Sequence, residues 1–110
     1  MSGGQGLLVH DLDMAAVEAG LADGSILIVD VREPHEFAAG RIPGSVSLPL
    51  SRFDPADIPD APGKRIVLSC AAGVRSLRAL EFAQSAGLDI DSHYIGGFKD
   101  WAMRGGPVEL

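Results

Sequence analysis

An α/β domain with a mostly parallel, five-stranded sheet and helices on both faces is the fold class this sequence predicts. Three observations carry it. Ile26–Val31 and Arg65–Ser69 are apolar, β-branched runs with little alternation, the pattern of strands covered on both faces. Each is followed by a segment bearing helix start and stop signals. The chain of 110 residues is 46% hydrophobic and 22% charged, ordinary for one globular domain. A chain of this length buries roughly two-thirds of its unfolded surface, enough for a real core.

Taken in order, residues 1–6 (Met1-Ser2-Gly3-Gly4-Gln5-Gly6) read as a flexible lead-in to a domain over residues 7–110. Leu7-Leu8-Val9 is a short strand candidate. Asp11 or Asp13 is placed to cap a helix over Met14–Leu21 that ends near Gly20 or Gly24. Arg32–Ala39 has room for two helical turns, with Pro34 in the first turn and Gly40 as the stop. Val46-Ser47-Leu48 is a short strand. Asp54–Lys64 holds three prolines and reads as a surface loop, with one helical turn near Arg52. Val74–Ala86 is the longest helix, with Leu77, Leu80, Ala83 and Ala86 on its apolar face and Gly87 as its end. His93-Tyr94-Ile95 is the last strand, Gly96-Gly97 a tight turn and Phe98–Arg104 a short helix.

Charge narrows the partners. Nine basic against fifteen acidic residues leave a net charge of −6, which repels phosphate backbones and anionic lipid. No nucleic-acid or membrane partner is expected. No apolar run approaches the ~18 residues of a membrane span, and the first residues lack the pattern of a signal peptide. The single cysteine, Cys70, excludes an intramolecular disulfide, a CxxC redox pair and a multi-thiolate zinc site. A lone thiol suits a reducing compartment, so a cytoplasmic location is expected.

Cys70 stands where open α/β sheets place their binding crevices, at the carboxyl end of a buried strand and before the longest helix. The segment that follows is Ala71-Ala72-Gly73-Val74-Arg75-Ser76. Its small residues allow the backbone to curl until successive N–H groups converge on one centre. Such a nest, with the helix dipole behind it, favours a thiolate over a thiol. A buried free cysteine is ordinarily inert; this placement makes Cys70 a candidate nucleophile. The backbone from Ala71 to Ser76 is the expected anion-binding element. Arg75 is expected to hold the anionic part of a donor or to bond the loop carbonyls. The Ser76 hydroxyl is either one more donor or an ordinary first-turn residue.

Three ordered motifs resemble the rhodanese (sulfurtransferase) family, in its single-domain form. The first is Asp30-Val31-Arg32-Glu33, then Glu36-Phe37 and Gly40-Arg41-Ile42-Pro43-Gly44-Ser45; the second is Cys70 to Ser76. The third is Ile95-Gly96-Gly97-Phe98 with Trp101, then Gly106-Pro107-Val108. The resemblance runs from about Leu7 to Glu109 and implies transfer of a sulfane sulfur. The thiolate would take the outer sulfur of thiosulfate or a low-molecular-weight persulfide. It would then pass that sulfur to a thiol or cyanide, a protein thiol included. No metal or other cofactor is implied. Four residues separate Cys70 from Arg75; related phosphatases and arsenate reductases use five, so phosphatase activity is disfavoured. Thiosulfate-specialised members often carry a basic residue directly after the cysteine. Here that residue is Ala71, which weakens the case for dianionic thiosulfate as the natural donor. Arg41, where the family commonly has His, reads as a surface change.

Asp30 is expected to be structural, accepting bonds from loop N–H groups. Arg32 is expected to pair with Glu36, four residues on, and is a secondary candidate for substrate contact. His10, His35 and His93 lie in separate segments and suggest neither a zinc triad nor a Cys–His dyad. Trp101, Phe98 and Phe82 are expected in the core. Two other readings stay open: a rhodanese-fold interaction or regulatory module without turnover, and a thiol redox sensor.

Overall fold

Parallel strands bury both faces because their crossovers lay helices on each side, and the chain is built on that constraint. The computed structural model describes residues 6–110, so the predicted lead-in lies, apart from Gly6, outside the described residues. Five strands, β1 (His10–Leu12), β2 (Ile26–Asp30), β3 (Val46–Ser47), β4 (Arg65–Ser69) and β5 (Ser92–Tyr94), pair throughout in parallel. Their order is β1-β5-β4-β2-β3, with β4 central. Among the described residues there are four α-helices: α1 (Met14–Asp23), α2 (Pro34–Ala39) and α3 (Arg75–Ser85) lie between strands, and α4 (Gly97–Met103) follows β5. The proline-rich stretch holds two single 3-10 turns, Leu50–Arg52 and Pro55–Asp57.

Alternation along the strands divides the core in two. Ile26, Ile28, Val67, Tyr94 and Leu12 meet Val17 of α1 and Trp101 of α4 on one face. Val29, Val31, Leu68 and Cys70 meet Ala79 and Leu80 of α3 on the other. Cys70 therefore continues the apolar row of the α3 face.

Local signals set most helix ends. Asp13 caps α1 by accepting from the Ala16 N–H at 2.9 Å, and Gly24 closes the helix in the left-handed region. Glu33 and Glu36 form a capping box at α2, with Pro34 in the first turn. Four expectations fail. Leu7, Leu8 and Val9 are exposed and precede β1. The edge strand instead uses His10–Leu12, because that register drops Leu12 into the core opposite Tyr94. Ile95 lies outside β5 and is half exposed. On α3, Ser76, Ala79, Leu80 and Ala83 are buried, while Leu77 is half-buried and Ala86 exposed. The stripe turns this way because Ser76 faces the sulfur of Cys70. Phe82 is also exposed, stacked on Phe53 with ring centroids 6.1 Å apart; Trp101 is buried and Phe98 partly so.

Candidate active site

The end of β4 delivers Cys70 into a loop that folds back over its own sulfur. The Gly73 N–H donates to Sγ at 3.2 Å and the Ser76 N–H at 3.3 Å. The α3 N-terminus has no side-chain cap; the Cys70 sulfur takes the place a capping oxygen would fill. Burial, the largest single influence, pushes the thiol up. The Ser76 hydroxyl and the N–H groups of Ser76, Ala72 and Gly73 together pull harder, so the thiol sits below its ordinary value.

Two glycines make the curl possible. Gly73 has φ of +85°, and a Cβ there would run into the backbone carbonyl of Ile95. Gly97 has φ of +67° and packs its bare Cα against the carbonyls of Cys70 and Ala71. That approach lets the first turn of α4 serve the loop: the Phe98 N–H donates to the Cys70 carbonyl at 2.8 Å and the Lys99 N–H to that of Ala71 at 3.0 Å. With those carbonyls held toward α4, the loop amides are free to face the sulfur. Sequence reasoning read Gly96-Gly97 as a tight turn and as part of the third family motif, and missed this support.

The loop side chains take different positions. Ala71 is half-buried, Ala72 and Val74 are exposed, and Ser76 is fully buried. Arg75 neither bonds the loop carbonyls nor faces the sulfur as a free cation. It forms a two-pronged pair with Glu36 of α2, at 2.7 and 2.9 Å. The expected Arg32–Glu36 ion pair is thereby overturned, since Glu36 is committed to Arg75. Arg32 turns to Asp30, bonding both carboxylate oxygens at 2.8–3.1 Å. It also donates to the Gly40 carbonyl at 2.8 Å and lies 4.3 Å from the Phe98 ring centre. Both partners are about 95% buried, and the Arg32 guanidinium makes its hydrogen bonds to Asp30 and to the carbonyls of Glu36 and Gly40. Asp30 does accept a loop N–H, that of Arg32, at 2.9 Å, and it also carries this buried pair. The clamp joins β2 to the end of α2 and to α4, and so sets where Glu36 meets Arg75. Arg41 is half-buried, its guanidinium 4.8 Å from the Phe37 ring centre, rather than a plain surface residue.

The Arg75 guanidinium, hydrogen-bonded to Glu36, holds that carboxyl far down, at about 2 against an ordinary 4.5. A depressed acid contributes stability that is fully present above pH ~4.5 and is lost as pH falls toward ~2. With both side chains partly solvated, the pair is worth about 1 kcal/mol. Glu36→Gln is therefore expected to lower stability by about that amount at neutral pH and by nearly nothing near pH 2. Urea unfolding of both proteins across that range checks it.

His93, which spacing left isolated, lies in the same neighbourhood. It is 1% exposed, with Nδ1 2.8 Å from the Ser76 hydroxyl and Nε2 2.8 Å from Asp11 Oδ1. The only hint in the sequence was a titratable ring inside an otherwise buried strand, where it must find partners. Among the described residues, no group of three or more His, Cys, Asp or Glu is arranged to hold a metal ion. No described helix is long and apolar enough to cross a membrane.

Comparison with known proteins agrees with this geometry. The rhodanese-like domain model matches residues 13–104. A sulfurtransferase of Allochromatium vinosum is 32% identical over 103 residues, covering 92% of this chain and 95% of that one. The thiosulfate:glutathione sulfurtransferase of Saccharomyces cerevisiae is 33% identical over 101 residues, covering 79% and 72%. A crystal structure of a rhodanese-related protein from Thermoplasma volcanium superposes with a TM-score of 0.77 at 31% identity, covering 92% and 98%. Two relatives of higher identity, 43% and 39%, are longer proteins, and the chain spans only 47% and 57% of their length. A cysteine held by its own loop amides at the end of the central strand, within a match this long, places the chain in the rhodanese-like domain family.

Proposed function

We propose that this chain is a sulfurtransferase in which Cys70 carries a sulfane sulfur as a persulfide. The observation that carries the reading is the buried thiol with two loop N–H groups aimed at its sulfur and an acidity above that of an ordinary thiol. The Cys70 thiolate attacks the outer sulfur of the donor. The donor's S–S bond breaks, and its electrons leave on sulfite, or on a thiolate if the donor is a persulfide. An acceptor thiolate or cyanide then attacks the outer sulfur, and the electrons of the enzyme's S–S bond return to Cys70. Both steps balance between sulfur and nucleophile alone, so no metal or other cofactor enters. Loop amides from Ala71 to Ser76 stabilise the anion in each state without having to reorganise.

Charge at the mouth bears on the donor. Ala71 adds no cation and Arg75 is neutralised by Glu36, which favours a low-molecular-weight persulfide over dianionic thiosulfate. A thiol acceptor such as glutathione fits the reaction named for the yeast relative. Val74 within the loop and Ile95, whose backbone packs against Gly73, expose apolar side chains, a setting that also accepts a protein thiol. The lone thiol suits the reducing cytoplasm. A four-residue spacing between Cys70 and Arg75, with that arginine already paired, argues against a phosphatase.

The test is intact mass after incubation with thiosulfate and, separately, with glutathione persulfide, with Cys70→Ser alongside. The expected result is gain of one sulfur atom, removed by reductant and absent from the variant, with more complete loading by the persulfide. No gain from either donor would overturn the reading in favour of a binding module.

A further inference from the structure

We propose that His93 is the proton acceptor for Cys70, acting through the Ser76 hydroxyl and steadied by Asp11. This rests on the sulfur-carrier reading and adds to it the path taken by the proton of the thiol.

The four groups form one chain across three strands and a helix. Leu68, His93 and Asp11 are in register on β4, β5 and β1, so their side chains emerge on the same face as α3. Ser76 in the first turn of α3 bridges the row to the sulfur. Cys70 Sγ is 3.5 Å from Ser76 Oγ, which is 2.8 Å from His93 Nδ1, and His93 Nε2 is 2.8 Å from Asp11 Oδ1. No buried side-chain nitrogen or oxygen among the described residues is left without a partner.

Hydrogen-bond directions follow from what each group is able to do. An ionised carboxylate only accepts, so His93 carries a proton on Nε2 and donates it to Asp11. In the neutral ring Nδ1 is then an acceptor, and the Ser76 hydroxyl must donate to it. The hydroxyl proton is thus turned away from the sulfur, and the Cys70 thiol is the donor to Ser76 Oγ. For Ser76 to stabilise a thiolate, its hydroxyl must donate to sulfur, and Nδ1 must then be protonated. Ionisation meets both conditions in one concerted shift. The S–H bond breaks and its proton joins Ser76 Oγ; the former Ser76 proton moves to Nδ1. The products are a thiolate, an intact hydroxyl and an imidazolium beside the Asp11 carboxylate, with no change in total charge. When an acceptor removes the outer sulfur, the electrons of the broken S–S bond return to Sγ. The Ser76 hydroxyl, backed by Nδ1–H, then donates to that thiolate.

Asp11 is about half exposed while His93 is buried, so the far end of the chain reaches water and the near end does not. The other charges near the sulfur come from α3 and α2, where Arg75 is paired with Glu36 and lies close to Glu33. Asp30 and Arg32 neutralise each other on the opposite face of the sheet. Asp91, next to the start of β5, is turned to the Ser92 hydroxyl.

The experiment measures Cys70 alkylation by iodoacetamide against pH, and persulfide formation from glutathione persulfide by rapid quench. It compares wild type with His93→Asn, Asp11→Asn, Ser76→Ala and Ser76→Thr. Asn at position 93 keeps a partner for Ser76 but accepts no proton. Asp11→Asn lies on the solvent side and leaves the core intact, so it decides the matter if His93→Asn fails to fold. The expected result is an alkylation midpoint raised by roughly one pH unit in His93→Asn, Asp11→Asn and Ser76→Ala. Persulfide formation is expected to slow about 10- to 100-fold, with Ser76→Thr restoring both. Wild-type midpoints and rates in folded Asp11→Asn and His93→Asn would overturn the relay. Alkylation requires no sulfur donor, so the two proposals separate. Shifted midpoints in a protein that takes up no sulfur would support the relay and sink the carrier reading. Unmoved midpoints in a protein that loads normally would do the reverse.

Discussion

Gly73→Ala is expected to slow persulfide formation on Cys70 by about 100-fold, the loss typical of removing one backbone donor from an anion hole. The added Cβ meets two obstacles together. At φ of +85° an L side chain costs roughly 1–2 kcal/mol, and the Cβ would overlap the Ile95 carbonyl. That carbonyl is backbone following β5 and has no rotamer with which to move aside. The loop must shift instead, taking the Gly73 N–H off the sulfur and disturbing the bond from Ser76. With fewer donors, burial dominates and the thiol rises toward, or above, its ordinary value. Alkylation of Cys70 at mildly acidic pH should fall in parallel. A Gly73→Ala protein that loads sulfur at the wild-type rate would show that the cradle is not what activates Cys70.

Arg32→Ala is expected to be the most destabilising single change among those considered, because it strands a buried carboxylate. Asp30 and Arg32 are nearly inaccessible, and removing one partner of such a pair costs about 3–5 kcal/mol. For a domain of this size that lowers the melting temperature by roughly 12–20 °C. Replacing both, as Asp30→Asn with Arg32→Met, leaves no unpaired charge and should cost clearly less than Arg32→Ala alone. Thermal melts of wild type, Arg32→Ala and the double variant give the answer. Equal losses in the single and double variants would mean that the stacking of the Arg32 guanidinium on Phe98, lost in both, matters more than its pairing with Asp30.

These two sites differ in how visible they were beforehand. A buried strand running into Cys70, small residues, Gly73 and then a helix is a local pattern. Its consequence, amides curling onto the sulfur, depends on backbone geometry within a few residues. The caps at Asp13 and Gly24, the Pro34 start of α2 and the two central strands are legible for the same reason. The partner of Arg32 was misread because two carboxylates compete for it. Helical spacing favoured Glu36, but desolvation of Asp30 at the end of a buried strand makes that pairing compulsory.

The sequence by itself determined the parallel α/β class, the strand-loop-helix unit that holds Cys70 and the absence of any second cysteine. Each of these is written in neighbours along the chain or in plain counting. Only the tertiary structure decided that Glu36 takes Arg75, that the first turn of α4 holds the loop carbonyls, and that His93 and Asp11 stand behind Ser76. Those pairs join residues 39, 17 and 82 positions apart for Arg75–Glu36, Ser76–His93 and His93–Asp11. They meet because strand register and helix rotation settle together as the core closes. Side-chain spacing along the chain carries no record of that closure, so the cradle was legible and the charges and proton path around it were not.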